Sequence, residues 1–164
     1  MTRRPLLKVL VASVLAIALG PGAAGAAGAA ASTRPTIEIT VIHALRTDGG
    51  LSIDPQLKDL PQLTREPFVR YNVYKLLDRK RLPLESGKAA ASALVNGRTL
   101  QVTLIEPTAD GGVPRYHVRA EIDEPGKRAF LKLLEVTASS DEPFFVGGQS
   151  YQGGTLFIEL VVRS

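Results

Sequence analysis

The chain contains no cysteine and no tryptophan, and its one methionine is Met1. Without cysteine there is neither a disulfide framework nor a thiol nucleophile, and the acylated cysteine of a bacterial lipoprotein is missing as well. Aromatic residues make up only 5% of the chain, so its core must be built from Leu, Val, Ile and a few Phe and Tyr. Such a core resists oxidation. Histidine occurs twice, at His43 and His117, which leaves few side chains that titrate near neutrality.

Long apolar runs are scarce too. The strongest is Val9 to Leu19, preceded by Arg3, Arg4 and Lys8 and followed by GPGAAGAAGAAAS. A spanning helix needs roughly 20 strongly apolar residues. Pro21 and the repeated glycines interrupt this one, so the pattern is that of an export signal with an h-region of ordinary length. Small-x-small sites recur, and the reading places cleavage after Ala31, with residues 32–35 as a linker and 36–164 as a single domain. The n-region Thr2 to Lys8 resembles a twin-arginine signal but carries Leu6 where an aromatic is usual, which favours the general export route. The expected location is the periplasm or the medium, with no stable membrane span after cleavage.

Charge gives no reason to invoke nucleic acid. The whole chain has 20 Lys and Arg against 16 Asp and Glu, but three of the cations lie in the leader, leaving 17 against 16 in the chain that follows it. A balance this close to neutral lacks the basic field that phosphate backbones require.

The remaining pattern is that of strands. Thr36 to Leu45 alternates Ile37, Ile39, Val41 and His43 with Glu38, Thr40, Ile42 and Ala44. Asp54-Pro55 caps an expected short helix over residues 55–60, which Pro61 ends. Further strands are expected at Phe68 to Leu77, at Arg81 to Glu85 as an edge strand because of Pro83, and at Lys88 to Val95. Asn96-Gly97 then marks a hairpin into Arg98 to Glu106. Arg115 to Asp123 alternates most cleanly, with Tyr116, Val118, Ala120 and Ile122 inward. Ala129 to Ala138, Pro143 to Gly147 and Thr155 to Arg163 complete the set. The alanines of residues 88–95 also favour helix and residues 129–138 also fit helical spacing, but their neighbours favour strand. Short strands with turn signals every 8 to 12 residues predict an all-β antiparallel sandwich or partly open barrel with one short helix.

Candidate sites are sparse. Arg115, His117 and Arg119 share one face of their strand and could present an anion-binding surface, which Glu121 and Asp123 partly cancel. Gln149 and Tyr151 lie in an expected glycine-rich loop, the place where binding residues concentrate. Arg79, Lys80 and Arg81 form the densest charge cluster, expected in a solvated turn or against anionic headgroups and envelope polymers. Gly148 to Gly153 falls short of a nucleophile elbow because Gln152 replaces its second glycine. Asp48 and Asp54 do not match a calcium loop. No cofactor or metal motif is present, and neither histidine sits in a ligand pattern.

The resulting expectation is an exported, non-catalytic binding or structural component whose partner is a protein or an envelope polymer. Two alternatives stand beside it. One is an accessory factor that binds partner chains through a sheet edge, and the other is a hydrolase with a site dispersed in sequence.

Overall fold

A computed structural model describes residues 34–164. The expected export signal over 1–31 lies outside the described residues, as does the start of the linker. Of that linker, the Pro35 carbonyl accepts a hydrogen bond from the Leu84 amide at 2.8 Å. No helix among the described residues is long and apolar enough to cross a membrane.

Among the described residues, nine strands form two packed sheets. They are β1 (Thr36–Leu45), β2 (Ser52–Ile53), β3 (Val73–Pro83), β4 (Ala89–Ala93), β5 (Thr99–Asp110), β6 (Val113–Asp123), β7 (Phe130–Ser139), β8 (Pro143–Tyr151) and β9 (Gly154–Arg163). A five-stranded sheet runs β2-β3-β1-β9-β8 and a four-stranded sheet runs β4-β5-β6-β7. Every pairing is antiparallel except the two-residue β2–β3 contact. The sheets do not close into a barrel, so the sandwich expectation holds.

The main core lies between the sheets. Ile37, Ile39 and Val41 of β1 and Leu156, Ile158, Leu160 and Val162 of β9 face Leu100, Val102, Leu104, Val118, Ala120 and Ile122 of the opposite sheet. All are essentially inaccessible to solvent. Each such burial is worth about 1.5–3 kcal/mol before conformational entropy is charged against it. The Asn96-Gly97 hairpin forms as the sequence predicts, with Gly97 at φ 79°, a left-handed conformation that costs glycine little.

The connection from β2 to β3 departs from expectation. In place of one helix over residues 55–60 there are three 3₁₀ turns, Pro55–Leu57, Pro61–Thr64 and Phe68–Arg70. Closely spaced prolines at positions 55, 61 and 67 deny a longer helix its backbone donors, so each segment stays a 3₁₀ stretch of three or four residues. The strand expected from Phe68 begins instead at Val73 and continues unbroken through Pro83, merging two expected strands. Phe68 is apolar because it belongs to a second core. With Leu57 and Leu63 it covers Ile42, Ala44, Tyr74 and Phe157 on the outer face of the five-stranded sheet. Tyr74 fastens the arrangement by donating its hydroxyl to the Phe68 carbonyl at 2.6 Å.

Two further expectations are corrected. Arg79, Lys80 and Arg81 lie within β3 and not in a turn. Strand β8 extends through Tyr151, so the expected glycine-rich loop is reduced to a turn at Gln152 and Gly153.

If the 3₁₀ segment is a structural layer, Leu63→Ala will cost about 2–5 kcal/mol, as will Leu100→Ala in the main core. Urea denaturation of both variants checks this. A Leu63→Ala effect within about 0.5 kcal/mol would mark the segment as a dispensable loop.

Candidate functional site

The register of the five-stranded sheet sets the outer-face side chains in rows. Arg81 of β3 pairs with Glu38 of β1, which pairs with Val161 of β9. The next row is Arg79, Thr40, Glu159 and Phe145, and the row beyond it is Leu76, Ile42, Phe157 and Gly147. The 3₁₀ segment covers the apolar row and stops short of the charged ones. Its residues Gln56, Asp59, Leu60 and Gln62 wall a cleft of about 430 Å³ over Glu38, Arg79, Glu159 and Arg163.

The polar groups here are crowded and incompletely paired. Arg81 Nη2 donates to Glu38 Oε2 at 2.6 Å. Arg163 Nη1 donates to Asp141 Oδ1 at 2.6 Å, and its Nη2 stands 3.6 Å from Glu38 Oε1. Arg79 Nη2 donates to the Gln56 carbonyl at 3.2 Å, tying the wall to the sheet. Thr40 Oγ1, Gln62 Oε1 and Arg163 Nε are buried without a hydrogen-bond partner. Among the described residues only Arg115 Nε shares that condition. Buried polar atoms are normally paired, so the orphans on Gln62 and Arg163, which line the cleft, and on Thr40, which lies between Arg79 and Glu159 in the sheet, mark unmet hydrogen-bonding capacity in one neighbourhood.

Glu159 is the central group. It is 4% exposed, and no cationic nitrogen forms an ion pair with it among the described residues. Burial pushes its carboxyl above the ordinary 4.5, while the Thr40 hydroxyl beside it, Arg79 and Arg163 pull it partway back. The Thr40 contact moderates the shift without completing a hydrogen bond of normal geometry. Glu38 behaves oppositely, because the Arg81 hydrogen bond holds it below the ordinary range despite burial.

On the far side of Phe68 lies a second concavity of about 610 Å³. Phe68 packs edge-on against Phe145 and Phe157 with centroids 4.9 and 4.8 Å apart, and Tyr71 against Phe157 at 5.4 Å. A Cβ at Gly147 would stand 2.3 Å from Phe157 Cδ1, so only glycine admits that ring.

The residues singled out from sequence are dispersed. His117 Nε2 lies 3.1 Å from Glu135 Oε1, and Arg119 Nε donates to Glu135 Oε2 at 2.9 Å. Arg115 Nε stands 3.6 Å from Asp110, so carboxylates from β5 and β7 accompany each cation of that face. Gln149 accepts from Asn96 Nδ2 at 2.7 Å, joining the two sheets. The Tyr151 ring packs against the main core. Its carbonyl lies 2.9 Å from His43 Nε2, which makes His43 the bonded, core-edge histidine its phase predicts. The cluster of Arg79, Lys80 and Arg81 is split by strand alternation. Arg79 and Arg81 face the cleft side, whereas Lys80 turns the other way to Asp78 at 2.8 Å and to the Ala93 carbonyl at 3.1 Å.

Of the residues named from sequence, only Arg79 lines the cleft. Glu159 escaped notice although it carries a signal. It is an acid in the run Leu156 to Val162, in phase with apolar Phe157 and Val161, where a charge is costly. The wall residues give no comparable signal, since nothing periodic places Asp59 or Gln62. Among the described residues, no group of three or more His, Cys, Asp and Glu is placed to hold a metal ion. The chain matches no family model, no curated protein and no solved structure, so the site is read from its geometry.

An acid with a raised folded-state pKa contributes most to stability below its unfolded value and loses that contribution as pH rises through the folded one. Glu159→Gln removes the loss. The variant is therefore expected to exceed the parent in stability at neutral pH by on the order of 1 kcal/mol. The gap should close below pH 4.5, as thermal melts across pH would show. A variant less stable at neutral pH would mean that charge, and not burial, governs this carboxyl.

Proposed function

We propose that this chain is an exported, non-catalytic binding module that takes a small polar ligand into the cleft over Glu159. The observation that carries the reading is a concavity over Glu159, a buried carboxyl with no ion-pair partner among the described residues, whose lining residues Gln62 and Arg163 each keep a buried, unpartnered polar atom. Its volume lies within the range of about 300–1,000 Å³ common to small-molecule sites. A ligand that completes those hydrogen bonds relieves a cost the free protein carries.

The non-catalytic part of the reading draws on the histidines. Neither lines the cleft or the aromatic groove. His43 is directed at a backbone carbonyl and His117 at a surface carboxylate, which leaves neither aimed at a bound substrate. The export part rests on the leader pattern at Arg3 to Ala31.

A second reading, addition of a partner strand to β8, draws on one observation. Strand β8 ends the five-stranded sheet beside the aromatic groove. The bulge between Gly147 and Gln149 interrupts that edge, a device that discourages strand addition.

Thermal-shift measurements with neutral sugars, amino acids and short peptides, polyamines and carboxylates test the binding reading. At least one class should raise Tm, and Arg79→Gln should abolish the rise while Arg119→Gln leaves it intact. No shift in any class, or turnover of ester, peptide or glycoside reporters, would contradict it. For export, mass spectrometry of the mature product should find Ser32 at its N-terminus. An uncleaved, cell-retained chain would contradict that part.

A further inference from the structure

We propose that the aromatic groove beside Phe68 is a second binding site, for an amphipathic anion: an apolar chain or ring that carries one carboxylate. The site is separate from the cleft over Glu159 and does not depend on it. Pro67, Phe68, Tyr71, Phe145 and Phe157 supply the apolar lining. Phe68 and Phe157 are nearly buried, whereas Tyr71 and Phe145 are half-buried and Pro67 is exposed, so apolar surface stands open there. The β8 side is kept bare by two glycines. No side chain fits at position 147 beside the Phe157 ring, and Gly148 at φ 99° holds a backbone conformation that disfavours one. The volume of about 610 Å³ suits a small molecule, for which about 300–1,000 Å³ is common.

The polar groups select the charge of that molecule. Tyr71 Oη donates to Thr155 Oγ1 at 3.0 Å, so the hydroxyls of the groove bond each other. Arg70 is the one charged residue of the lining. Its Nε donates to the Pro67 carbonyl at 3.1 Å, while Nη1 and Nη2 have neither a hydrogen bond nor an ion pair among the described residues. Arg46 adds to the same sign. Its Nη1 donates to the Arg70 carbonyl at 3.1 Å, and no carboxylate pairs with it among the described residues. Glu66, the acid nearest to Arg70 in sequence, does not line the groove.

The lining of the cleft mixes both signs, but here a single cation stands among apolar groups. A neutral apolar ligand leaves Arg70 unanswered, a cation is repelled by it, and a small anion gains nothing from the rings. A chain or ring ending in a carboxylate meets both demands.

Calorimetric titration of the full chain at low salt with decanoate, decylammonium and acetate tests the proposal. Decanoate should bind, acetate should not, and decylammonium should bind about fivefold more weakly or worse. Arg70→Gln should weaken decanoate about fivefold, the upper end for an exposed ion pair, without weakening decylammonium. Arg65→Gln removes an exposed cation of the same segment that lies outside the groove, and should leave decanoate within about twofold of the parent. Circular dichroism confirms the fold of both variants. On the unaltered protein, decanoate should shift the NMR ring signals of Phe145 and Tyr71. Absence of decanoate binding overturns the proposal, as do equal binding of decylammonium, an unchanged affinity in Arg70→Gln, or ring signals that stay in place. Binding to phosphatidylglycerol vesicles with none of free decanoate also overturns it, and would make this face a membrane surface.

Discussion

Everything distinctive in this structure depends on how the outer face of the five-stranded sheet is covered. A sandwich needs apolar residues on the two inner faces only, yet β1 and β9 also carry Ile42, Ala44 and Phe157 outward. Left open, these side chains would form an exposed apolar patch. The proline-punctuated segment between β2 and β3 folds down on them with Leu57, Leu63 and Phe68, and the hydroxyl of Tyr74 ties it in place. Because the segment is short and made of single turns, it covers one end of the face and leaves the charged rows uncovered beside it. The cleft is the margin of that cover.

The charged rows are arranged by strand register, and register explains their pairing. Glu38 lies between Arg81 and Arg163 and is well compensated, so it stays ionised readily. Glu159 is one row further toward the apolar end, beside Phe145 and Thr40, where compensation is weaker and burial dominates. Two glutamates on neighbouring strands of one sheet are therefore pushed in opposite directions by a displacement of a single row. Pairs of carboxyls driven apart in this way are common where proteins handle ligands. On the β6 face, by contrast, Glu135 takes up both His117 and Arg119, and the unpartnered Nε of Arg115 is a single orphan.

Where side chains serve one purpose, sequence pattern was a good guide. The alternation in Arg115 to Asp123 places Tyr116, Val118, Ala120 and Ile122 inward, and all four are buried. The outer faces of β1 and β9 were harder to read because they serve two purposes along one strand, polar at Glu38 and Glu159 and apolar at Ile42 and Phe157. Phe68 to Leu77 misled because Phe68 belongs to the covering segment and only Val73 onward to the sheet. Three consecutive charges at Arg79 to Arg81 suggested a turn. They are tolerated in β3 because β2 pairs only with Val73 and Tyr74, leaving the rest of that side free, and edges favour charge. The cleft wall lay beyond reach, since the meeting of Gln62 with Glu159 is a matter of tertiary packing alone.

The central claim is that the cleft holds a carboxyl whose needs the free protein leaves unmet. Titration of the Glu159 side-chain carboxyl by carbon NMR, assigned through Glu159→Gln, measures this directly. The account predicts a midpoint above 4.5, moving down when a ligand supplies the missing counter-charge. A midpoint at or below 4.5 in the free protein would show that neighbouring arginines already satisfy Glu159, and the cleft would then be a closed ion-pair network.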